Sequence, residues 1–261
     1  LQAPGGGEGI DHVGKVVEGV LERLVRARQA EAGQVGRDHA VAAGQLLGLP
    51  RSVRLEGVRG HDERHVVQQL AEVTRQAARA ILGELSATMP GQLAMVEAIS
   101  AALPGAQIVG DSTQPVYAAN LYYDHDLPGG WFNAATGYGA LGFGPGAAVG
   151  AAVAAPGRRV VCLIGDGGLQ FSPGELRTAV DEKLPITFLV WNNAAYNEIA
   201  DAMRAANTEV IGCHPSPLKL NHFAAACDLP FASVAEDPAA LQAALANPPE
   251  GPRLVEVRVT S

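Results

Sequence analysis

The sequence predicts an α/β protein in which residues 88–261 form a doubly wound, mostly parallel sheet. The first observation is that short apolar runs alternate with helical patterns over roughly 170 residues, as in parallel sheets covered by helices on both faces. The second is that two of these runs, 160–164 and 186–191, are each followed at once by a polar motif. Since open α/β sheets bind ligands at the carboxyl ends of their strands, the pattern also predicts a ligand site there.

The composition is typical of a globular protein, with 48% hydrophobic and 18% charged residues in a chain of 261. A net charge of −8 argues against nucleic acid or an anionic membrane as a partner. The sequence shows no apolar run of membrane-spanning length and no signal-peptide pattern, so we expect a cytoplasmic protein. Its three cysteines are scattered, which indicates reduced thiols in the core rather than disulfides.

Residues 1–87 differ from the rest and are predicted to be an atypical N-terminal segment, mainly helical or poorly ordered. The segment contains no Phe, Trp or Tyr, and its strongest patterns are helical, at 11–32 and 63–85. His61 and His65 have the spacing of two metal ligands on one helix face, but without a third ligand a solvated face is the better interpretation. This composition would also fit a mis-assigned gene start.

From Thr88 onward each element has its own signal. Thr88 is a helix-capping residue with Pro90 in the first turn, and the helix should end before Pro104. Between the two polar motifs, Ser172 is placed to cap a helix that extends to Lys183. The other predicted helices are 139–155, 197–206, 217–227 and 238–246, and the other predicted strands are 107–110, 231–234 and 253–259.

The two polar motifs are Gly165-Asp166-Gly167 and Asn192-Asn193, with 24 residues between them. Their position after two parallel strands brings them to one edge of the sheet. Glycines let backbone N–H groups approach a phosphate closely, and Asp166 supplies a hard carboxylate oxygen. Together with the amide oxygen of Asn193, these groups suit Mg²⁺ and a diphosphate. The sequence therefore predicts a site for a metal-bridged diphosphate.

This pair of motifs resembles the diphosphate-binding signature of thiamin-diphosphate (ThDP) enzymes, in which Gly-Asp-Gly is followed at a similar interval by Asn-Asn. The resemblance implies ThDP and Mg²⁺ as cofactors. It implies that Mg²⁺ is bound by Asp166, by the Asn193 side chain and by the main-chain carbonyl of Ala195. Gly165, Gly167 and Gly168 are the implied diphosphate-binding glycines.

The glycine-dense run 133–144 resembles the aminopyrimidine loop of the same family. The resemblance implies main-chain contacts to the pyrimidine ring at Gly139 and Leu141, with the Leu141 side chain as the apolar wedge that keeps the cofactor bent. From the residues alone, close packing of a helix explains these glycines equally well. The segment resembles the family only in part, because Pro145-Gly146 stands where Leu-Pro is usual.

Three further residues are assigned to the cofactor by resemblance. Thr113 and Gln114 are implied to donate hydrogen bonds to the diphosphate, and a helix cap made by Ser112 or Thr113 is an equally good interpretation. Tyr196 lies just past the asparagines, where the family lines its substrate channel, as does Glu198. No catalytic residue is assigned in this chain.

The resemblance implies non-oxidative decarboxylation of a 2-oxo acid. The stretches 110–117 and 131–137 resemble acetolactate-synthase-like decarboxylases, and look most like 5-guanidino-2-oxopentanoate decarboxylase. A carboligase of the acetolactate synthase type is the main alternative. Such enzymes often have a tryptophan in the helix after the asparagines, and its absence near Met203 weakly favours decarboxylation.

The family uses a glutamate that hydrogen-bonds pyrimidine N1′, and this glutamate lies in a separate pyrimidine-binding domain. We find no such domain in the sequence. We therefore expect the chain to supply the diphosphate and Mg²⁺ half of the site, completed by a partner chain or a missing N-terminal region in a homo-oligomer or hetero-oligomer. The alternative of another class is a truncated or split-subunit module without activity of its own.

Overall fold

The computed structural model describes residues 86–125 and 127–259. In these residues six parallel strands form one sheet in the order β2-β1-β3-β4-β6-β5. This confirms the predicted parallel α/β fold. The predictions made for the N-terminal segment, including its two helices and the pair His61 and His65, lie outside the described residues, and the boundary at residue 88 stays a prediction.

The elements alternate along the chain. The strands are β1 Gln107–Gly110, β2 Trp131–Asn133, β3 Val160–Gly165, β4 Ile186–Asn192, β5 Phe231–Ala235 and β6 Arg253–Arg258. The helices are α1 Met89–Ala102, α2 Gln114–Tyr122, α3 Phe143–Ala154, α4 Asp166–Leu169, α5 Gly174–Asp181, α6 Asn197–Ala205, α7 Leu220–Ala226 and α8 Pro238–Leu245, with a 3₁₀ turn at Ala134–Thr136.

The central strands are buried on both faces, which explains their continuous apolar sequence. Side chains alternate across a strand, so Cys162 and Ile164 of β3 pack with α3, α5 and α7 in one core, while Val161 and Leu163 pack with α1 and α8 in the other. The cysteines are buried free thiols, as expected. Burial raises the pKa of Cys162 well above its usual value. Among the described helices, none is both long and apolar enough to cross a bilayer.

Several local predictions were wrong. Strand β2 and helices α2 and α4 were not predicted, the helix expected from residue 139 begins at Phe143, and the helix expected from residue 217 begins at Leu220. Helix α5 begins at Gly174, with Pro173 rather than Ser172 at the N-cap position. The Ser172 hydroxyl instead donates a hydrogen bond to the Gly142 carbonyl at 2.8 Å, and so joins the α4–α5 connection to the start of α3.

A buried arginine holds the last strand to the end of α8. Arg253, only 6% exposed, donates to Thr187 Oγ1 at 3.1 Å and to the carbonyl oxygens of Ala244 and Leu245 at 3.1 and 3.2 Å. These carbonyls belong to the last turn of the helix, where backbone acceptors lack intrahelical partners. Burial, and secondarily the charge of Arg159, lower the pKa of Arg253.

The strand order creates a crevice at one edge of the sheet. From β1 the chain continues to β2 on one side, whereas from β3 it continues to β4 on the other. At such a switch of direction the connections leave a gap outside the carboxyl ends of the two strands. The segments that follow β1 and β3, beginning at Asp111 and Asp166, therefore face the same crevice.

Candidate functional site

Asp166 is the first residue after β3 and is 3% exposed. Burial raises the pKa of its carboxyl group, and the charge of Glu256 raises it further, while backbone N–H groups of Asn193 and Gly167 lower it. In the part of the chain that the structure describes, the arginine ion pairs involve other aspartates, and no basic side chain pairs with Asp166. The site thus holds a poorly solvated carboxylate without a cationic partner, which is energetically costly.

The two asparagines at the end of β4 form a turn. Asn192 Oδ1 accepts from the Ala194 N–H at 3.2 Å, and Asn193 Oδ1 accepts from the Ala195 N–H at 3.1 Å, both as Asx turns. The Asn192 amide donates to Glu256 Oε1 at 2.6 Å, and the Asn193 amide donates to Gln114 Oε1 at 3.3 Å. Each asparagine is therefore oriented by a neighbouring element.

The ends of β3 and β4 together offer three hard oxygen donors: the Asp166 carboxylate, the Asn193 amide oxygen and the Ala195 carbonyl. The Asn193 N–H donates to the Asp166 carboxylate, so the two strand ends are in direct contact. No hydrogen bond from another described residue reaches the Ala195 carbonyl. Within residues 86–125 and 127–259, no three His, Cys, Asp or Glu side chains gather as a metal site. A cation here would therefore also need amide and carbonyl oxygens.

The glycines on either side of Asp166 allow close packing by Tyr196 and Thr113. A Cβ on Gly167 would overlap Cε1 of Tyr196 and stand 3.0 Å from its Cδ1. A Cβ on Gly165 would lie 3.3 Å from Thr113 Oγ1. The backbone of Tyr196 is itself fixed, because its N–H donates to the Cys213 carbonyl at 2.9 Å. The structure thus brings Tyr196 and Thr113 against the glycine motif.

The polar residues after β1 do not cap α2 with their side chains. Thr113 occupies the N-cap position and is buried, but its side chain makes no capping bond. The Ser112 hydroxyl donates instead to the Gly139 carbonyl at 2.6 Å. Gln114 Oε1 accepts from Trp191 Nε1 at 3.2 Å as well as from Asn193. The helix-cap interpretation is therefore not supported, and Gln114 lies at the predicted site.

The glycine-dense loop lies beside the same strand end. Gly139 has a φ of +65° and donates its N–H to the Ala134 carbonyl at 3.0 Å. Gly142, with a φ of +83°, precedes α3 as its N-cap residue. Between them Leu141 is half-buried, while Tyr138 is fully exposed. The Ser112–Gly139 bond ties this loop to the end of β1.

Two residues of the site were missed at the sequence level. Asp111 is completely buried and accepts several backbone hydrogen bonds. Glu256 on β6 orients Asn192 and also accepts from the Ser233 hydroxyl at 2.7 Å. Signals for both exist in the sequence, since Asp111 follows β1 as Asp166 follows β3, and Glu256 is an acidic residue inside an apolar strand pattern.

Comparison with known proteins shows the family. Residues 109–257, more than half of the chain, match the family model described as the C-terminal TPP binding domain of thiamine pyrophosphate enzymes. The chain belongs to this family. Thiamine pyrophosphate is the same compound as ThDP, so the predicted cofactor class is confirmed for this domain. The matched residues include the sheet and the crevice described above.

Relatives of this TPP-binding domain include decarboxylases and acetolactate synthases. The chain is 40% identical over 124 residues to the probable 2-ketoarginine decarboxylase AruI of Pseudomonas aeruginosa, covering 47% of this chain and 22% of that protein. It is 41% identical over 88 residues to the acetolactate synthase isozyme 3 large subunit of Escherichia coli, covering 34% of this chain and 15% of that protein. The chain therefore spans about a fifth or less of the length of these curated relatives.

Solved structures of ThDP enzymes share the fold of the TPP-binding domain. The Rhodococcus jostii ThDP-dependent 4-hydroxybenzoylformate decarboxylase superposes with a TM-score of 0.54 at 30% identity, over 66% of this chain and 32% of that one. Benzoylformate decarboxylase from Polynucleobacter necessarius gives a TM-score of 0.57 at 23% identity, over 66% and 33%. The second likeness concerns the fold alone.

Replacing Gly167 by alanine is expected to weaken ThDP binding about tenfold. Affinity losses of this size are typical when a residue that supports the direct contacts of a binding site is displaced. Here the new Cβ must displace the Tyr196 ring from the turn. Gly174→Ala is the matched control, because a Cβ there meets nothing within 4 Å. Both affinities are measured by calorimetric titration. Equal affinities for the two variants would contradict a role for the Gly167–Tyr196 contact.

Proposed function

We propose that the chain binds ThDP together with Mg²⁺ and supplies the diphosphate-binding half of an active site that decarboxylates a 2-oxo acid. The observation that carries this proposal is the buried Asp166 carboxylate, which lacks a cationic partner among the described residues and contacts the Asn193 turn. The family supplies the cofactor class, and the decarboxylases among its members supply the reaction class.

The donor set fits Mg²⁺, which prefers hard oxygen ligands and keeps part of its shell for phosphate and water. Asp166 would supply a carboxylate, Asn193 its amide oxygen and Ala195 its carbonyl. Asn193 Oδ1 retains a second lone pair besides the one used in its Asx turn. A bound cation would also offset the repulsion between Asp166 and Glu256 that raises the Asp166 pKa.

The remaining residues of the chain would bind and orient the cofactor. We assign the diphosphate to the backbone of the Gly165–Gly168 turn, to Thr113 Oγ1 and to the Gln114 amide, whose Oε1 is already used as an acceptor. Gly139 and Leu141 would contact the pyrimidine, and Tyr196 would close the site beside Gly167. When bound, ThDP supplies the electron sink for the pair released as CO₂ leaves a 2-oxo acid.

For the substrate we propose 5-guanidino-2-oxopentanoate, which is 2-ketoarginine. The reason is that AruI, named a probable 2-ketoarginine decarboxylase, is 40% identical to this chain over the aligned residues. Carboligation is the second candidate, favoured by the 41% identity to an acetolactate synthase large subunit. Both reactions release CO₂, so the organic product distinguishes them: the first forms an aldehyde, whereas the second forms a 2-hydroxy-2-alkyl-3-oxo acid from two 2-oxo acids.

We further propose that residues 88–261 are the pyrophosphate-binding domain, that residues 1–87 are a separate segment, and that a pyrimidine-binding domain, on a partner chain or in a missing N-terminal region, completes the site in a cytoplasmic oligomer. The small share of each relative that the chain spans supports the need for a further domain. Turnover of a 2-oxo acid by the chain alone would contradict the need for a further domain. ThDP binding without turnover, even after a chain with a pyrimidine-binding domain is added, would favour the module without activity of its own.

The test is calorimetric titration of ThDP into the full chain with Mg²⁺ and with EDTA, beside unphosphorylated thiamin as the matched control ligand. We expect ThDP to bind only with Mg²⁺ and thiamin to bind at least about tenfold more weakly, because the proposed contacts are mostly to the diphosphate. Equal binding of thiamin, or ThDP binding unaffected by EDTA, would overturn the proposed site.

A further inference from the structure

Asp111 has no role in the proposed function, yet its carboxylate accepts hydrogen bonds from two separate segments of the chain. It is 0% exposed and is the first residue after β1. Its Oδ1 accepts from the Ser112 N–H at 2.8 Å and from the Gly142 N–H at 3.3 Å, and its Oδ2 accepts from the Gly144 N–H at 2.7 Å. Both carboxylate oxygens therefore accept hydrogen bonds from backbone N–H groups, one directly after β1 and two at the start of α3.

The same side chain also packs against the glycine turn after Asp166. A Cβ on Gly168 would stand 2.9 Å from Asp111 Oδ1, and a Cβ on Gly144 would stand 3.2 Å from Asp111 Oδ2. Glycine at these two positions lets the carboxylate fit between the turn and α3. Asp111 thus contacts three segments of the candidate site: the exit of β1, the loop before α3 and the Gly165–Gly168 turn.

The charge of Asp111 is balanced by backbone groups. Burial raises the pKa of its carboxyl group, and the N–H groups of Gly144, Ser112, Gly142 and Phe143 counteract this. The start of α3 carries the positive end of the helix dipole, which favours a carboxylate. Since these N–H groups already donate to Asp111, they are not free for an anionic ligand, and their role is to hold the loop.

We propose that Asp111 is a positioning residue, which fastens the loop 137–144 to the exit of β1 and to the glycine turn before any cofactor binds. Its carboxylate sets the separation between the pyrimidine-contacting residues Gly139 and Leu141 and the diphosphate-binding turn. This inference rests on the proposed function for its effect on ThDP binding, whereas its effect on the loop concerns the chain without ligand.

The test is Asp111→Asn, which keeps the size of the side chain but replaces one acceptor oxygen by an NH₂ group that cannot accept from a backbone N–H. Asp237→Asn is the matched control, because Asp237 also accepts a backbone bond, from the Ala240 N–H at 2.7 Å, at the start of α8. Backbone hydrogen exchange of residues 137–144 is measured in the ligand-free chain, together with ThDP titration.

We expect Asp111→Asn to speed exchange in 137–144 about tenfold and to weaken ThDP binding by a similar factor, whereas the control changes neither. A purely structural role would lower only global stability in urea, leaving native-state exchange of the loop and the affinity of the folded protein unchanged. Unchanged loop exchange overturns the proposal. If the unmodified chain binds no ThDP, the proposed function fails, and the exchange result still decides the role of Asp111.

A second variant keeps the proposal testable if Asp111→Asn does not fold. Gly168→Ala leaves the carboxylate in place but pushes on its Oδ1 from the glycine turn. Because Asp111 is the contact between that turn and the N–H groups of Gly142 and Gly144, we expect faster exchange in 137–144 in this variant too. Exchange equal to that of the unmodified chain would overturn the link.

Discussion

Asp166→Asn is expected to weaken Mg²⁺-dependent ThDP binding more than about 100-fold, because it removes the charged oxygen of the proposed metal site. Loss of a residue that only supports the ligands of a metal typically costs about 10–100-fold, and loss of a direct ligand should cost more. The carboxylate is buried and contacts the Asn193 turn, so water cannot readily replace it. Calorimetric titration in the presence of Mg²⁺ measures the loss. Asp181→Asn is the matched control, since Asp181 is exposed and pairs only with Arg177 on its own helix in the described structure.

The same substitution should not destabilise the ligand-free protein. Because the folded-state pKa of Asp166 is raised, the native state binds a proton more tightly than the unfolded chain. Ionisation therefore lowers stability as pH rises through the interval between the unfolded and folded pKa values, and this loss persists at neutral pH. Asn does not ionise and so avoids this loss, and its one oxygen can still accept from the backbone N–H of Asn193, one of the groups that bond to Asp166. A ligand-free variant clearly less stable in urea than the unmodified chain at neutral pH would indicate a structural role for Asp166 instead.

Arg253→Met is expected to lower the free energy of unfolding by about 3 kcal/mol, since several buried acceptors lose their donor at about 1–3 kcal/mol each, and partial access of water reduces the sum. The acceptors are Thr187 Oγ1 and the carbonyl oxygens of Ala244 and Leu245. Methionine retains much of the apolar stem of arginine, so the change reports mainly on the hydrogen bonds. Urea unfolding followed by circular dichroism measures it.

Arg258→Met is the control for that experiment, because Arg258 is an exposed residue on the same strand. Its effect should stay within about 0.5 kcal/mol, as for most surface substitutions. Equal losses of unfolding free energy in the two variants would show that the bonds of Arg253 to the end of α8 do not stabilise the fold. An arginine on β6 would then act through strand propensity or charge.

The sheet could be predicted where its strands are long and buried on both faces. Strands β3 and β4 present five or more consecutive apolar or buried residues, and a helical pattern between them implies a parallel pairing. Strand β2 has three residues, which are too few to show alternation, and it pairs only with β1 at the edge of the sheet. Helix α2 was missed because Gln114-Pro115 reads equally well as a turn.

The candidate site likewise contains residues that could be predicted from the sequence and residues that could not. Residues that act as a contiguous motif, such as Gly165–Gly168 and the two asparagines, are visible in the sequence and lie together at the crevice. Asp111 and Glu256 act through partners far away in the chain: Asp111 binds Gly142 and Gly144, 31 and 33 residues on, and Glu256 binds Asn192, 64 residues back. Local spacing carries no information on such contacts, so only the fold brings them to light.

The position of β6 in the sheet has a consequence for the order in which the domain is completed during synthesis. This strand is the last of the six in chain order, yet it lies between β4 and β5 and pairs with both. A nascent chain that has emerged only to residue 252 leaves β5 without a neighbour and Asn192 without the carboxylate that orients it. The asparagine turn of the proposed cofactor site therefore cannot gain this hydrogen bond until the ribosome has added β6.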